Sequence, residues 1–234
     1  MQKIDPKRTA LIILDLQNDV IHPKGKFADS GSPAHAKKQN VVGNVKAIAE
    51  AGRAKGMPII HIHMLLDDGT CKLNAPLFQS CVDAKALVRG TWGAEALPGV
   101  KPQKGDLIVE KQRMSGFHNT LLDTKLRGLG VEQVLVTGAW TNFSVEHSCR
   151  DGADLGYRMA VVSDGTSTID DEWQNAALSY ALTNIAERVS TAEVLKALGA
   201  PPAAAAKKAP VKKAPAKRAP AKKAPAKKAA GRAR

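Results

Sequence analysis

The chain of 234 residues carries a formal net charge of +13, with 44% hydrophobic and 24% charged residues, a composition ordinary for a globular protein. No apolar run reaches the roughly 18 residues of a membrane-spanning helix, and the first residues lack the pattern of a secretory signal. The three cysteines, Cys71, Cys81 and Cys149, lie at unrelated spacings, which argues against a disulfide framework or a zinc site and favours a cytoplasmic location.

Residues 1–200 alternate short apolar runs, typical of buried parallel strands, with segments of helical spacing. The predicted strands are Thr9–Leu16, Ile59–His63, Leu107–Glu110, Gln133–Thr137, Arg158–Val162 and Arg188–Ser190. The predicted helices are 34–55, Thr120–Leu129 with Gly130 after its end, 142–156, 171–186, and Thr191–Leu198 with Thr191 as its N-cap.

This alternation predicts an α/β fold, a doubly wound and mostly parallel six-stranded sheet with helices on both faces. The segment 64–106 is long and weakly periodic, which is typical of a lid or a binding element. We therefore expect one domain over residues 1–200 and a separate segment over 201–234.

Reactive side chains follow three of the predicted strands. Asp15 ends the first strand, Lys111 ends the third, and the fourth runs through Thr137-Gly138 into a helix that begins near Ser144. Ligands bind at the carboxyl ends of the strands in open α/β sheets, so these groups are expected at one edge. A carboxylate, an ammonium and a hydroxyl together can act as base, electrostatic stabiliser and nucleophile.

These residues resemble the motifs of the isochorismatase-like, or cysteine hydrolase, superfamily over nearly all of 8–198. The first motif is similar to Asp15–Asp19, the second to Glu110-Lys111 followed by Ser115–Phe117, and the third to Thr137-Gly138 through Arg150-Asp151. The resemblance implies an isochorismatase-like, Rossmann-like fold and hydrolysis of a C–N bond in a small amide or carbamoyl substrate.

The resemblance also implies a role for each motif residue. Asp15 is then the general base, Lys111 stabilises charge, and a cis peptide between Ala139 and Trp140 shapes the oxyanion hole. Gln17 of the first motif belongs to the substrate pocket in this interpretation.

Ser144 stands where the family has its catalytic cysteine. Cys149 lies five positions further, about 140° round a helix, so we expect that it cannot replace the missing thiol. Three interpretations remain open: Ser144 is a weaker nucleophile; Asp15 acts alone as an acid on a vinyl ether, as in family isochorismatases that lack the cysteine; or the site is inactive and binds without catalysis.

Three further side chains are candidates for the substrate pocket. Trp92 lies in the predicted lid, and Phe117 and His118 lie close to the lysine motif. We expect no metal, because His61 and His63 are expected to face opposite ways on the second strand. We expect no nucleotide cofactor either, because the sequence lacks a glycine-rich phosphate loop.

The last 34 residues, 201–234, resemble in composition the Lys/Ala/Pro tails of linker histones and repeat a five-residue unit of the type AKKAP. Twelve of the 35 Lys and Arg residues lie here, which leaves 23 basic against 22 acidic residues in 1–200. The proline spacing and the shortage of apolar side chains predict disorder. The basic residues are Lys207, Lys208, Lys212, Lys213, Lys217, Arg218, Lys222, Lys223, Lys227, Lys228, Arg232 and Arg234.

Such a segment is expected to bind DNA non-specifically through phosphate neutralisation, unless it is only a solubilising extension. Two classes of function follow: a small-molecule hydrolase, and a nucleoid-associated protein whose body is a degenerate hydrolase. We expect a homo-oligomer and no membrane partner in either case.

Overall fold

The computed structural model describes residues 4–67 and 75–201, and the sheet within them has six strands. The strands are β1 Thr9–Leu14, β2 Ile59–Met64, β3 Leu107–Lys111, β4 Gln133–Ala139, β5 Arg158–Ser167 and β6 Glu187–Val189. Their order is β3-β2-β1-β4-β5-β6, and every pair is parallel. The predicted doubly wound fold is confirmed.

Helices cover both faces of this sheet. They are α1 Asn18–Ile21, α2 Ser32–Lys38, α3 Val41–Ala54, α4 Pro76–Asp83, α5 Leu122–Gly128, α6 Glu146–Asp154, α7 Asp171–Ala176 and α8 Thr191–Ala197. A π-helical turn, Thr141–Val145, joins β4 to α6, and a second one, Ala177–Ala181, follows α7.

The sheet separates two apolar clusters because side chains alternate between the faces of each strand. In β1, Ile13 belongs to the first cluster and packs on the side of α3 and α8, which supply Ile48 and Val194. Ile12 belongs to the second cluster, with Leu126 of α5. Strands buried on both faces have continuous apolar sequences, as TALIIL in β1 shows.

Several predicted helix boundaries are corrected. The segment 34–55 contains two helices, because Asn40 adopts a left-handed conformation with φ 53° and ends the first. The N-cap of α8 is Ser190, whose hydroxyl accepts the N–H of Glu193 in a capping box, and Thr191 is already helical. The segment 64–106 includes α4, which the weak periodicity did not reveal.

The predicted basic segment lies outside the described residues, apart from Pro201. Within 4–67 and 75–201, none of the helices has the length and apolar character needed to cross a membrane. The proposed boundary at residue 200 is close to the end of α8, where the backbone N–H of Ala200 still donates to the carbonyl of Leu195.

Candidate active site

Asp15, Lys111 and Ser144 meet at the carboxyl edge of the sheet. The Oγ of Ser144 donates to the Oδ2 of Asp15 at 2.6 Å. The Nζ of Lys111 lies 2.9 Å from that hydroxyl and 2.8 Å from the same carboxylate oxygen. All three side chains are buried. The site is next to β1 and β4, the point at which the strand order reverses and where α/β sheets bind ligands.

Lys111 is held by more acceptors than it has N–H groups. Besides Asp15 and Ser144, its Nζ donates to the backbone carbonyls of Arg113 at 3.0 Å and Met114 at 2.9 Å. Burial lowers the pKa of Lys111 from its ordinary value, and the neighbouring Asp15 carboxylate partly opposes that effect. The ammonium is thus fixed in place but easier to deprotonate than a lysine in water.

Asp15 is held by the backbone at the end of β2. Its Oδ1 accepts the N–H of Met64 at 3.1 Å. Its φ of 50° is unusual for a residue other than glycine, and such strain is common at functional sites. Gly138 of β4 passes so close that a Cβ there would lie 2.0 Å from the carbonyl oxygen of Leu14, with φ 116°. Only glycine allows this approach of β4 to β1.

Ser144 lies in the π-helical turn and is anchored by a second serine. The hydroxyl of Ser148 donates to the carbonyl of Ser144 at 2.6 Å and accepts the N–H of Gly116 at 2.8 Å. Cys149 is fully buried in the second apolar cluster, and burial raises its pKa to about 12. The thiol of Cys149 therefore cannot substitute for Ser144, as the helical spacing predicts.

The peptide between Ala139 and Trp140 is cis, and both residues border the cavity that contains Asp15 and Ser144. The cavity encloses about 400 Å³ of empty space, including its open mouth. The walls are apolar and include Phe27, Met64, Leu77, Met114, Trp140 and Phe143. The sequence did not single out these wall residues, except Trp140, because they come from the end of a strand and from loops and helices without a common period.

The other predicted pocket residues lie outside this cavity. Gln17 is fully buried, but its Nε2 donates to the carbonyls of Met64 at 2.9 Å and Ala94 at 2.8 Å. It braces the loop that follows β2 rather than facing the cavity. Trp92 is 47% exposed and contacts His22 edge-on, so it does not cover the site.

Phe117 and His118 are also displaced from the predicted pocket. Phe117 stacks on Tyr157 within the second apolar cluster, with ring centroids 5.9 Å apart. His118 lines a different, polar cavity, which borders the far side of Lys111. Proximity in sequence to the lysine motif was a misleading signal, because the chain turns away after Met114.

The expectation that His61 and His63 face opposite ways is wrong. Residues two apart in a strand share a face, and these two rings lie 6.1 Å apart. The Nε2 of His61 instead pairs with the Oδ2 of Asp106 at 3.0 Å, and Arg53 binds the same carboxylate. Across the described ranges no group of three His, Cys, Asp or Glu side chains is arranged to hold a metal ion.

The fold and the site define an α/β domain with a buried carboxylate–ammonium–hydroxyl cluster at its ligand-binding edge. The isochorismatase domain model matches residues 9–193. The chain therefore belongs to the isochorismatase family of hydrolases.

Comparison with individual proteins agrees with this assignment. The chain is 33% identical over 190 residues to the ureidoacrylate amidohydrolase RutB of Caulobacter vibrioides, an alignment that covers 75% of this chain and 84% of the relative. A cysteine hydrolase from Pseudomonas syringae pv. phaseolicola superposes with a TM-score of 0.77 at 27% identity, covering 85% and 96% of the two chains. The N-carbamoylsarcosine amidase of Thermoplasma acidophilum gives a TM-score of 0.63 at 26% identity, covering 79% and 96%.

Proposed function

We propose that the protein hydrolyses a C–N bond of a small amide or carbamoyl compound, with Ser144 as the nucleophile in place of the family's cysteine. The hydrogen bond of 2.6 Å from the Ser144 hydroxyl to the Asp15 carboxylate carries this proposal, because it joins a nucleophile to a base. The names of two relatives, an amidohydrolase and an amidase, support the bond class.

In the acylation step, Asp15 accepts the Ser144 proton while Oγ attacks the carbonyl carbon of the substrate. Collapse of the tetrahedral intermediate breaks the C–N bond, and the protonated Asp15 returns the proton to the leaving nitrogen. The products of this step are a free amine or ammonia and an acyl ester on Ser144. Water then attacks the ester, with Asp15 again as base, and releases the carboxylic acid and the serine.

Two groups stabilise the negative charge that develops in this reaction. The Lys111 ammonium lies 2.9 Å from the Ser144 oxygen and favours its developing negative charge. We assign the oxyanion hole to backbone N–H groups around the Ala139–Trp140 peptide and the π-helical turn, which border the same cavity. A serine hydroxyl is a far weaker acid than a thiol of pKa about 8.5, so this electrostatic support is essential.

Variants at two positions test the proposed chemistry. Ser144→Ala should lower kcat by about 10³-fold or more, because it removes the attacking atom. Ser144→Cys should retain or raise activity, because it restores the thiol around which the family site is built. Ammonia release from a panel of amides and ureides measures both, and Ser179→Ala, an exposed serine after α7, is the matched control.

Two outcomes would contradict the nucleophile. If Ser144→Ala keeps its turnover while Asp15→Asn loses nearly all of it on isochorismate, Asp15 acts alone as an acid. If neither substitution changes any measured rate, and only Ser144→Cys creates activity, the native site binds without catalysis.

We also propose that residues 201–234 bind DNA without sequence preference. Twelve basic residues and no acidic residue support this, because the lysines of such a basic arm are expected to contact phosphates rather than base edges. The arm would hold the hydrolase domain near nucleic acid without taking part in catalysis.

Salt dependence tests the arm. If about eight to ten of its charges meet phosphates, log K should fall with log salt at a slope of about −7 to −9 on duplex DNA. A chain that ends at Ala200 should show no binding, as measured by fluorescence anisotropy on duplexes of two unrelated sequences. Binding by the shortened chain, or binding insensitive to salt, would contradict the proposal.

A further inference from the structure

Among the residues that the structure describes, the walls of the active-site cavity offer almost no polar contact beyond the reacting groups. Phe27 and Phe143 flank Trp140, with ring centroids 5.9 Å from it in each case. The Nε1 of Trp140 already donates to the hydroxyl of Ser32 at 2.6 Å, so the indole presents only its apolar surface. Met64, Leu77 and Met114 also belong to this wall. An acyl group that enters here meets aromatic and aliphatic carbon.

The charges at the cavity floor are already paired with each other. Lys111 shares its three protons among Asp15, Ser144 and two carbonyls, so no N–H remains for a second anion. None of the described residues that line this cavity is a Lys or an Arg, and Lys111 itself lines the neighbouring polar cavity. A carboxylate on the substrate would therefore lose its water, gain no cation and approach the carboxylate of Asp15.

We propose that the substrate is a neutral amide with an apolar acyl group, branched or aromatic, and that amides bearing a carboxylate are rejected. This rests on the proposed function and adds the substrate class to it. Ureidoacrylate, which the name of one relative gives as its substrate, carries a carboxylate. The chain would thus differ from that relative in acyl specificity. The same argument disfavours isochorismate, which carries two carboxylates.

A matched pair of amides tests the charge directly. In 4-methylpentanamide a terminal isopropyl group replaces the carboxylate of succinamate, and the two are otherwise alike in shape. Calorimetric titration into the Ser144→Ala protein should show binding of the neutral amide about 100-fold tighter than that of succinamate, because only the neutral group can be desolvated without a partner. Wild-type kcat/KM should follow the same order.

A charge placed in the wall should reverse the preference. Leu77 lines the cavity and is half-buried, so the side chain of Leu77→Arg can reach the acyl group from the mouth. We expect succinamate binding to improve about tenfold and binding of the neutral amide to weaken, because a carboxylate gains a bidentate cation. Leu121→Arg, at an exposed leucine outside the cavity, adds the same charge and should change neither affinity.

Equal affinity for the two amides, tighter binding of succinamate, or no detectable binding of 4-methylpentanamide would overturn the proposal. Lys72 lies outside the described residues, so the titration is repeated with Lys72→Met. If succinamate binds the protein with Lys72 but not the Lys72→Met variant, a cation serves the substrate carboxylate and the proposal is overturned. Titration into the Ser144→Ala protein does not require turnover. A different result would contradict the proposed function: the wild-type chain binds a neutral amide but releases no ammonia from it.

Discussion

Lys111 has a side chain with no exposed surface, and its closest partner is the carboxylate of Asp15. A buried charge of this kind is costly unless it is paired and fully hydrogen-bonded. Here the four acceptors around Nζ provide that pairing, and they come from the ends of β1 and β3 and from the π-helical turn. The lysine is therefore both a structural tie between three segments and the cation closest to the proposed reaction.

The pH dependence of activity should report Lys111. Burial lowers the pKa of Lys111 below its ordinary value of 10.5. The ammonium therefore loses its proton at a lower pH than a lysine in water does. Since the charged form favours the developing negative charge on the Ser144 oxygen, kcat/KM should fall on the alkaline side below pH 10.5. Measured pH profiles of wild type and Lys111→Met should differ on this alkaline side. Lys55 is exposed, and Lys55→Met should leave the alkaline side of the profile unchanged.

Stability should change in the opposite direction over the same pH range. Between the lowered folded pKa and 10.5 the unfolded chain binds more protons at Lys111 than the folded chain, so the folded state gains stability as pH rises. The Tm of wild type should therefore rise relative to that of Lys111→Met as pH approaches 10.5. An alkaline limb at or above pH 10.5, or a falling Tm difference, would contradict this account of Lys111.

The residues of the proposed reaction could be found from the sequence, but their surroundings could not. Asp15, Lys111 and Ser144 each follow a recognisable strand, and parallel strands end at the same edge. The cavity walls depend on how loops pack, and no local pattern records that, which is why Trp92 and His118 were misplaced. The shared face of His61 and His63 follows from strand periodicity alone, because side chains two residues apart in a strand point the same way.

At the level of elements, regular strands and helices were predicted well and irregular ones poorly. β1 was predicted to within two residues, and the end of α3 to within one, although α3 was merged with α2 in a single predicted helix over 34–55. β5 was predicted to end at Val162, and the residues that follow, Ser163-Asp164-Gly165, have the composition of a turn. The strand continues to Ser167, since a register shift between Val136 and Gly138 lets it pair again with β4. A pairing partner far along the chain thus overrides the local turn signal.

The whole molecule follows from a few rules of chain topology. Alternating strands and helices require a parallel sheet, and right-handed crossovers leave few strand orders. The order β3-β2-β1-β4-β5-β6 puts β1 beside β4, which brings Asp15 next to the chain segment that carries Ser144. The charge pattern adds that residues 1–200 are nearly neutral and that the basic residues in excess lie in 201–234.

The proposed domain boundary predicts that residues 201–234 contribute nothing to the stability of the domain. Among the described residues, the last buried member of the two apolar clusters is Leu198, and Ala200 packs against the first cluster. A chain ending at Ala200 should therefore melt at the same temperature as the full chain in differential scanning calorimetry at moderate salt. Leu198→Ala in the full chain is the contrasting variant, because truncating a buried leucine should cost about 2–5 kcal/mol and lower the Tm by about 2–4 °C per kcal/mol. A loss of several degrees on truncation alone would show that the basic segment packs on the domain.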